Sequence, residues 1–93
     1  MSIRITQIHL SESVREHEHI TDVKWANRET GVEGQSARAA IVEWIDVKRG
    51  EAFVGTGGTQ VRVGTIHPTS SEPYLRTYAD GSWTNNLLSL DEF

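Results

Sequence analysis

The chain has no cysteine, only two prolines and one methionine among its 93 residues, and no long apolar run. Without thiols, neither disulfides nor thiolate-held metal can brace the fold, and the composition fits a reducing cytoplasm. No window approaches the ~20 apolar residues of a membrane-spanning helix, so no membrane contact is expected. The start, Met1-Ser-Ile-Arg-Ile-Thr, alternates apolar and polar residues and lacks the charged region and apolar block of a signal peptide. It is read as a strand. Residues 1–93 are expected to form one domain, burying roughly 60–65% of the unfolded surface. So small a core predicts a monomer or a weak homodimer paired through a sheet edge.

Charge of one sign is also scarce. The net charge is −4 with acids and bases interspersed, and the adjacent basic pair Lys48-Arg49 stands where a helix should end. Duplex DNA is a poor fit, because its binders draw affinity from a basic surface that releases phosphate counterions.

Hydrophobic periodicity supplies the elements. Ile3 and Ile5 share one strand face by parity and Ile8 and Leu10 the other, which predicts a bulge near Thr6-Gln7. A second strand runs over His19–Asn27, with Val23 and Trp25 on one side. Residues 28–35, with Gly31 and Gly34, read as a loop. Ala37, Ala40, Ile41, Trp44, Ile45 and Lys48 follow helical spacing, with Ser36 as N-cap and Gly50 as the stop. Ile41 and Trp44 are the expected centre of the core. Strands are predicted over residues 60–67 and 74–78, a short one over 52–54, and Asp80-Gly81 as a turn. The expected fold is α+β: a small antiparallel β-sheet with one amphipathic helix packed on one face.

Chemistry-bearing groups are sparse. His17-Glu18-His19, if extended, points both imidazoles to one side, with Asp22 or Asp80 as a third group for a metal; two histidines alone do not make a site. Gly55-Thr-Gly-Gly-Thr resembles a phosphate loop, but a strand follows it instead of a helix, so a hairpin connection is expected. No strand-nucleophile-helix elbow accompanies the serines, threonines and histidines. The last twenty residues hold both tyrosines, Trp83, Asp80 and Asn85-Asn86 before Leu87, Leu88 and Leu90. A terminus this apolar must be packed, and its polar groups then cap turns or meet a ligand.

Tyr74-Leu-Arg-Thr-Tyr-Ala-Asp-Gly and Asn86-Leu-Leu-Ser-Leu resemble the closing motifs of the small bacterial proteins grouped as domain of unknown function 3892. His17 to Thr21 and Trp44-Ile45 match further pieces of that family, so the resemblance spans nearly the whole chain. Asp91 stands where a proline often follows the leucines. Asn85 stands where an acid is common, so a carboxylate role does not carry over to it. The resemblance supports the fold and implies no activity.

The function expected is a non-catalytic binding or accessory domain that recognises a protein or small polar ligand. Its patch would comprise His17, His19, Arg76, Asp80, Trp83 and Asn86, with Tyr78 and Trp25 as flat anchors and no cofactor. Two other readings stand beside it: a metal-assisted enzyme using His17, His19 and Asp80, and a single-stranded nucleic-acid binder stacking bases on exposed aromatics.

Overall fold

A computed structural model describes residues 2–11, 16–55, 60–79 and 81–93. In chain order it contains β1 (Ser2–Leu10), a 3-10 turn (His17–His19), β2 (Ile20–Asn27), β3 (Glu33–Ala37) and α1 (Arg38–Lys48). Then come β4 (Glu51–Val54), β5 (Val61–Ile66), β6 (Tyr74–Ala79), β7 (Ser82–Thr84), a second 3-10 turn (Leu87–Ser89) and β8 (Asp91–Glu92). The class is α+β, as expected.

The sheet is mixed rather than wholly antiparallel. Its order is β3-β2-β1-β4-β5-β6-β7, and both β4 and β8 lie parallel to β1. The two share one edge of the long first strand, β4 along Ser2–Arg4 and β8 along Gln7 and Ile8. The parallel pair with β4 arises because α1 carries the chain back between β3 and β4, a crossover that a hairpin cannot make.

The predicted bulge is present: the β1–β2 register shifts between Ile5 and Gln7. Its effect is to return Ile8 and Leu10 to the face of Ile3 and Ile5, and all four are buried. Ile20, Val23, Ala52, Val54, Val63, Leu75 and Leu87 join them, and Ile41 and Val42 close the core from the helix.

Residues 33–37 form a strand where the end of a loop (to residue 35) and the start of the helix were expected. Glu33-Gly-Gln-Ser-Ala has none of the β-branched or aromatic residues that mark strands, so backbone pairing to β2 makes it one. Ser36 consequently cannot cap the helix; its Oγ accepts from Trp25 Nε1 at 3.0 Å. Ala37 stands in the cap position without a side-chain hydrogen bond, and α1 begins at Arg38.

The helix is also rotated from the expected stripe. Ile41 and Val42 are its buried residues, whereas Trp44 is only half-buried at the border of the core. Arg49 takes the left-handed conformation that ends the helix (φ 55), and Gly50 is required for a different reason. A Cβ there would lie 2.1 Å from Trp44 Cε2.

Candidate functional site

Pairing registers place one residue from each of seven strands in a single row across the sheet. Glu33 pairs with Ala26, Ala26 with Arg4, and Arg4 with Phe53. Phe53 pairs with Arg62, Arg62 with Tyr78, and Tyr78 with Trp83. Directly paired residues share a face. The neighbouring row, Ile3, Ala52, Val63 and Thr77, is buried. Strand side chains alternate, so the row from Arg4 to Trp83 stands on the face opposite the helix.

Arginines and aromatics alternate along this outer row. The Arg28 guanidinium lies 4.3 Å from the centroid of the Phe53 ring, a cation–π stack, and its Nη2 donates to Gln60 Oε1 at 2.6 Å. Arg62 Nη1 is 3.6 Å from Glu51 Oε2, with both side chains about half exposed. Such a pair contributes about 0–1 kcal/mol and is readily exchanged for another anion. Tyr78 and Trp83 meet edge to face, centroids 5.1 Å apart, and remain 44% and 43% exposed. The benzo edge of Trp83 lies over Gly64, where a Cβ would come within 3.1 Å of the ring.

Beside them opens a groove of about 390 Å³, lined by Ile45, Arg62, Gly64, Thr65, Tyr78 and Trp83. β4 pairs with β5 only as far as Val63, which leaves the β5 edge at Gly64 and Thr65 uncovered there. At the other end of the same face the Lys24 ammonium sits 4.7 Å over the Phe93 ring.

The residues singled out from the sequence do not form one patch. His17 and His19 occupy a 3-10 turn rather than a strand, and positions two apart on such a turn diverge by about 120°. His17 is 6% exposed, whereas His19 is half-exposed and engaged with a neighbour. His17 Nε2 is buried without a hydrogen-bond partner among the described residues. Burial, and secondarily the Arg76 guanidinium, holds its pKa below 6.5, against a smaller upward pull from Glu18. The ring is therefore neutral near pH 7.

Arg76 reaches across to the end of β7 and the residue after it. Its Nε donates to the Thr84 carbonyl and its Nη2 to Asn85 Oδ1, both at 3.2 Å. Beside it the buried Thr77 hydroxyl accepts from Thr84 Oγ1 at 2.6 Å and donates to the Thr84 carbonyl at 3.1 Å. These bonds hold the β6–β7 edge and turn the chain toward Leu87. Asn86 acts through its carbonyl, which accepts from Ser89 N and Ser89 Oγ to close the second 3-10 turn. Asp80, and Thr56 to Thr59 of the glycine-rich loop, lie outside the described residues. Trp25, expected as a surface anchor, is half-buried, bonded to Ser36 and packed on the core.

Of the five that are described, Trp83 stands in the outer row, and Arg76, two residues from Tyr78, stands on the same face beside it. Arg4, Phe53 and Arg62 were missed. The alternation in Glu51-Ala-Phe-Val and Val61-Arg-Val shows that Phe53 and Arg62 point away from the core. Only the register shows that they point to the same place.

Among the described residues no group of three His, Asp or Glu side chains could hold a metal. His67 Nε2 does meet Asp46 Oδ2 at 2.8 Å, and Thr65 Oγ1 donates to Asp46 Oδ1 at 2.7 Å. The carboxylate stands between hydroxyl and imidazole, however, so the imidazole is not bonded to the nucleophile it would have to activate. Among the described residues no helix is long and apolar enough to cross a membrane.

The model of a family described as proteins of unknown function, DUF3892, matches residues 4–91, and the chain belongs to that family. No curated protein and no solved structure matches the chain.

Proposed function

We propose that this protein is a non-catalytic binding domain and that its binding surface is the outer face of the sheet. The observation that carries this reading is the row Arg4, Phe53, Arg62, Tyr78 and Trp83, with Arg28 stacked on Phe53. Arginine and large aromatics are the side chains that dominate recognition surfaces, because they offer broad contact area and charge at low ordering cost. Strands are stiff supports, so the groups are presented in fixed register before any ligand arrives.

The patch expected around His17, Arg76 and Asn86 thus centres on the sheet face, keeping Trp83 and Tyr78, with Arg76 on the same face but engaged by Thr84 and Asn85. His17 is too buried to meet a ligand directly. A location in the bacterial cytoplasm is part of the proposal, consistent with a chain free of cysteine.

Benzoate and adenosine monophosphate are suitable probes, each joining a flat ring to an anion. Titrated into the isotopically labelled protein, they should shift the amides of Arg4, Phe53, Arg62, Tyr78 and Trp83. Shifts confined to the α1 side, or none on the outer row with either probe, would remove the assignment.

A further inference from the structure

Resting on that reading of the outer face, the geometry points to a single-stranded nucleic acid as its ligand, with bases on Trp83, Tyr78 and the Arg28–Phe53 stack and phosphates on Arg4 and Arg62.

Spacing is the first support. Strands lie about 4.8 Å apart, so Phe53 and Tyr78, two strands distant, are separated by roughly 10 Å. Trp83 follows 5.1 Å beyond Tyr78 by ring centroids. From Arg4 to Trp83 the row crosses four strand intervals, roughly 19 Å. That length suits about four nucleotides, the lower end of the sites used by small β-domains. A base needs a flat partner and every base has one π-face to offer, so such a row binds strands with little regard to sequence.

Charge is the second. Arg4 and Arg62 stand between the aromatic rings of the row, and Lys24 and Arg28 belong to the same face, which also carries Glu33, Glu51, Asp22 and Asp91; the support is therefore the local placement of the two guanidiniums and not a basic face. Arg4 forms no ion pair or hydrogen bond with another described residue, and the Arg62–Glu51 pair is long and exposed. Both guanidiniums can therefore take phosphate oxygens without breaking a buried interaction.

The same features exclude two other occupants. An apolar protein surface would strip water from Arg4, Arg28 and Arg62 without compensation. A duplex keeps its bases stacked inside and offers the aromatics nothing to stack on.

The test is fluorescence anisotropy of labelled oligo-U and oligo-dT, roughly 15 nucleotides long to exceed the site, against a duplex of the same length. Binding to the single strands should be at least tenfold tighter than to the duplex. With two phosphate contacts, raising salt from ~50 to ~200 mM should weaken it roughly 7-fold. Trp83→Ala and Tyr78→Ala should each lower affinity about tenfold, the usual loss per stacked base. Arg62→Gln should flatten the salt dependence. RNA and DNA arms give comparable affinity if stacking and phosphate contacts suffice, and a preference for oligo-U adds a 2′-hydroxyl contact.

No anisotropy change at low salt up to about 1 mM protein would overturn the inference. So would equal binding to the duplex, or affinity unchanged in Trp83→Ala and Tyr78→Ala. If the oligonucleotides fail while benzoate and adenosine monophosphate still shift the outer row, the ligand class falls and the binding surface stands.

Discussion

The two faces of the sheet are built from the same strands, one residue apart, and they share almost no chemistry. The face under α1 carries Ile3, Ile5, Ile8, Val23, Ala52, Val63 and Leu75, every one at most 2% exposed. The face one position along carries Arg4, Phe53, Arg62, Tyr78 and Trp83. Both are rows of paired side chains, but one excludes water and the other keeps its cations and rings half in it. Only the first is needed for folding. The second places five large side chains where stability alone would accept lysine or threonine.

Breaking the buried face should have the largest effect. Leu87, fully buried although it lies six residues from the last described one, joins the closing segment to the core. Leu87→Ala should cost about 2–5 kcal/mol in denaturant unfolding, a large share of the stability of so small a domain. A loss under about 0.5 kcal/mol, the level of a surface change, would show that the segment is not part of the core.

Gly50→Ala comes next. The added methyl meets the Trp44 indole, and overpacking of this kind costs typically about 1–3 kcal/mol. A double variant with Trp44→Leu should recover most of the loss, because the ring that clashes is then gone. Trp44→Ala alone should cost less than the burial of a central tryptophan would, since the indole is only half-buried.

His17 gives a pH dependence of definite sign. Its folded-state pKa lies below 6.5, so the unfolded chain binds the proton more readily. The stability associated with the neutral ring is fully present above about pH 6.5 and is lost as pH falls from there through the folded pKa. Unfolding midpoints taken between about pH 7.5 and 5.5 should fall with acid in the wild type and fall less in His17→Gln. Equal slopes would mean that the imidazole is not held neutral.

The outer face should respond least in stability. Arg62→Gln is expected to change it by under about 0.5 kcal/mol, as surface substitutions do.

Much of the buried face was legible in the sequence. The change of parity between Ile5 and Ile8 located the bulge, and the alternation of Val61 and Val63 marked the strand. The helix was legible in existence but not in rotation, because Ser36 was claimed by Trp25 and the start moved by one residue. Residues 33–37 carry no strand signal because main-chain pairing to β2, helped by the Trp25–Ser36 side-chain bond, makes the strand without β-branched or aromatic residues of its own. The outer row was illegible for a deeper reason. Phe53, Arg62 and Tyr78 are visibly outward, yet their alignment with Arg4 depends on the parallel β1–β4 pairing, a contact between segments nearly fifty residues apart. The polar tail misled in turn, since Arg76 and Asn86 close turns and Asn85 receives the arginine.

The division between a folding face and a binding face is tested most directly by one double variant, Trp83→Ala with Tyr78→Ala, measured for both thermal midpoint and oligo-U affinity. The midpoint should drop by no more than about 4–8 °C, the shift that goes with ~1 kcal/mol in a domain of this size. Affinity should fall well over tenfold. A collapsed midpoint with affinity retained would contradict the account.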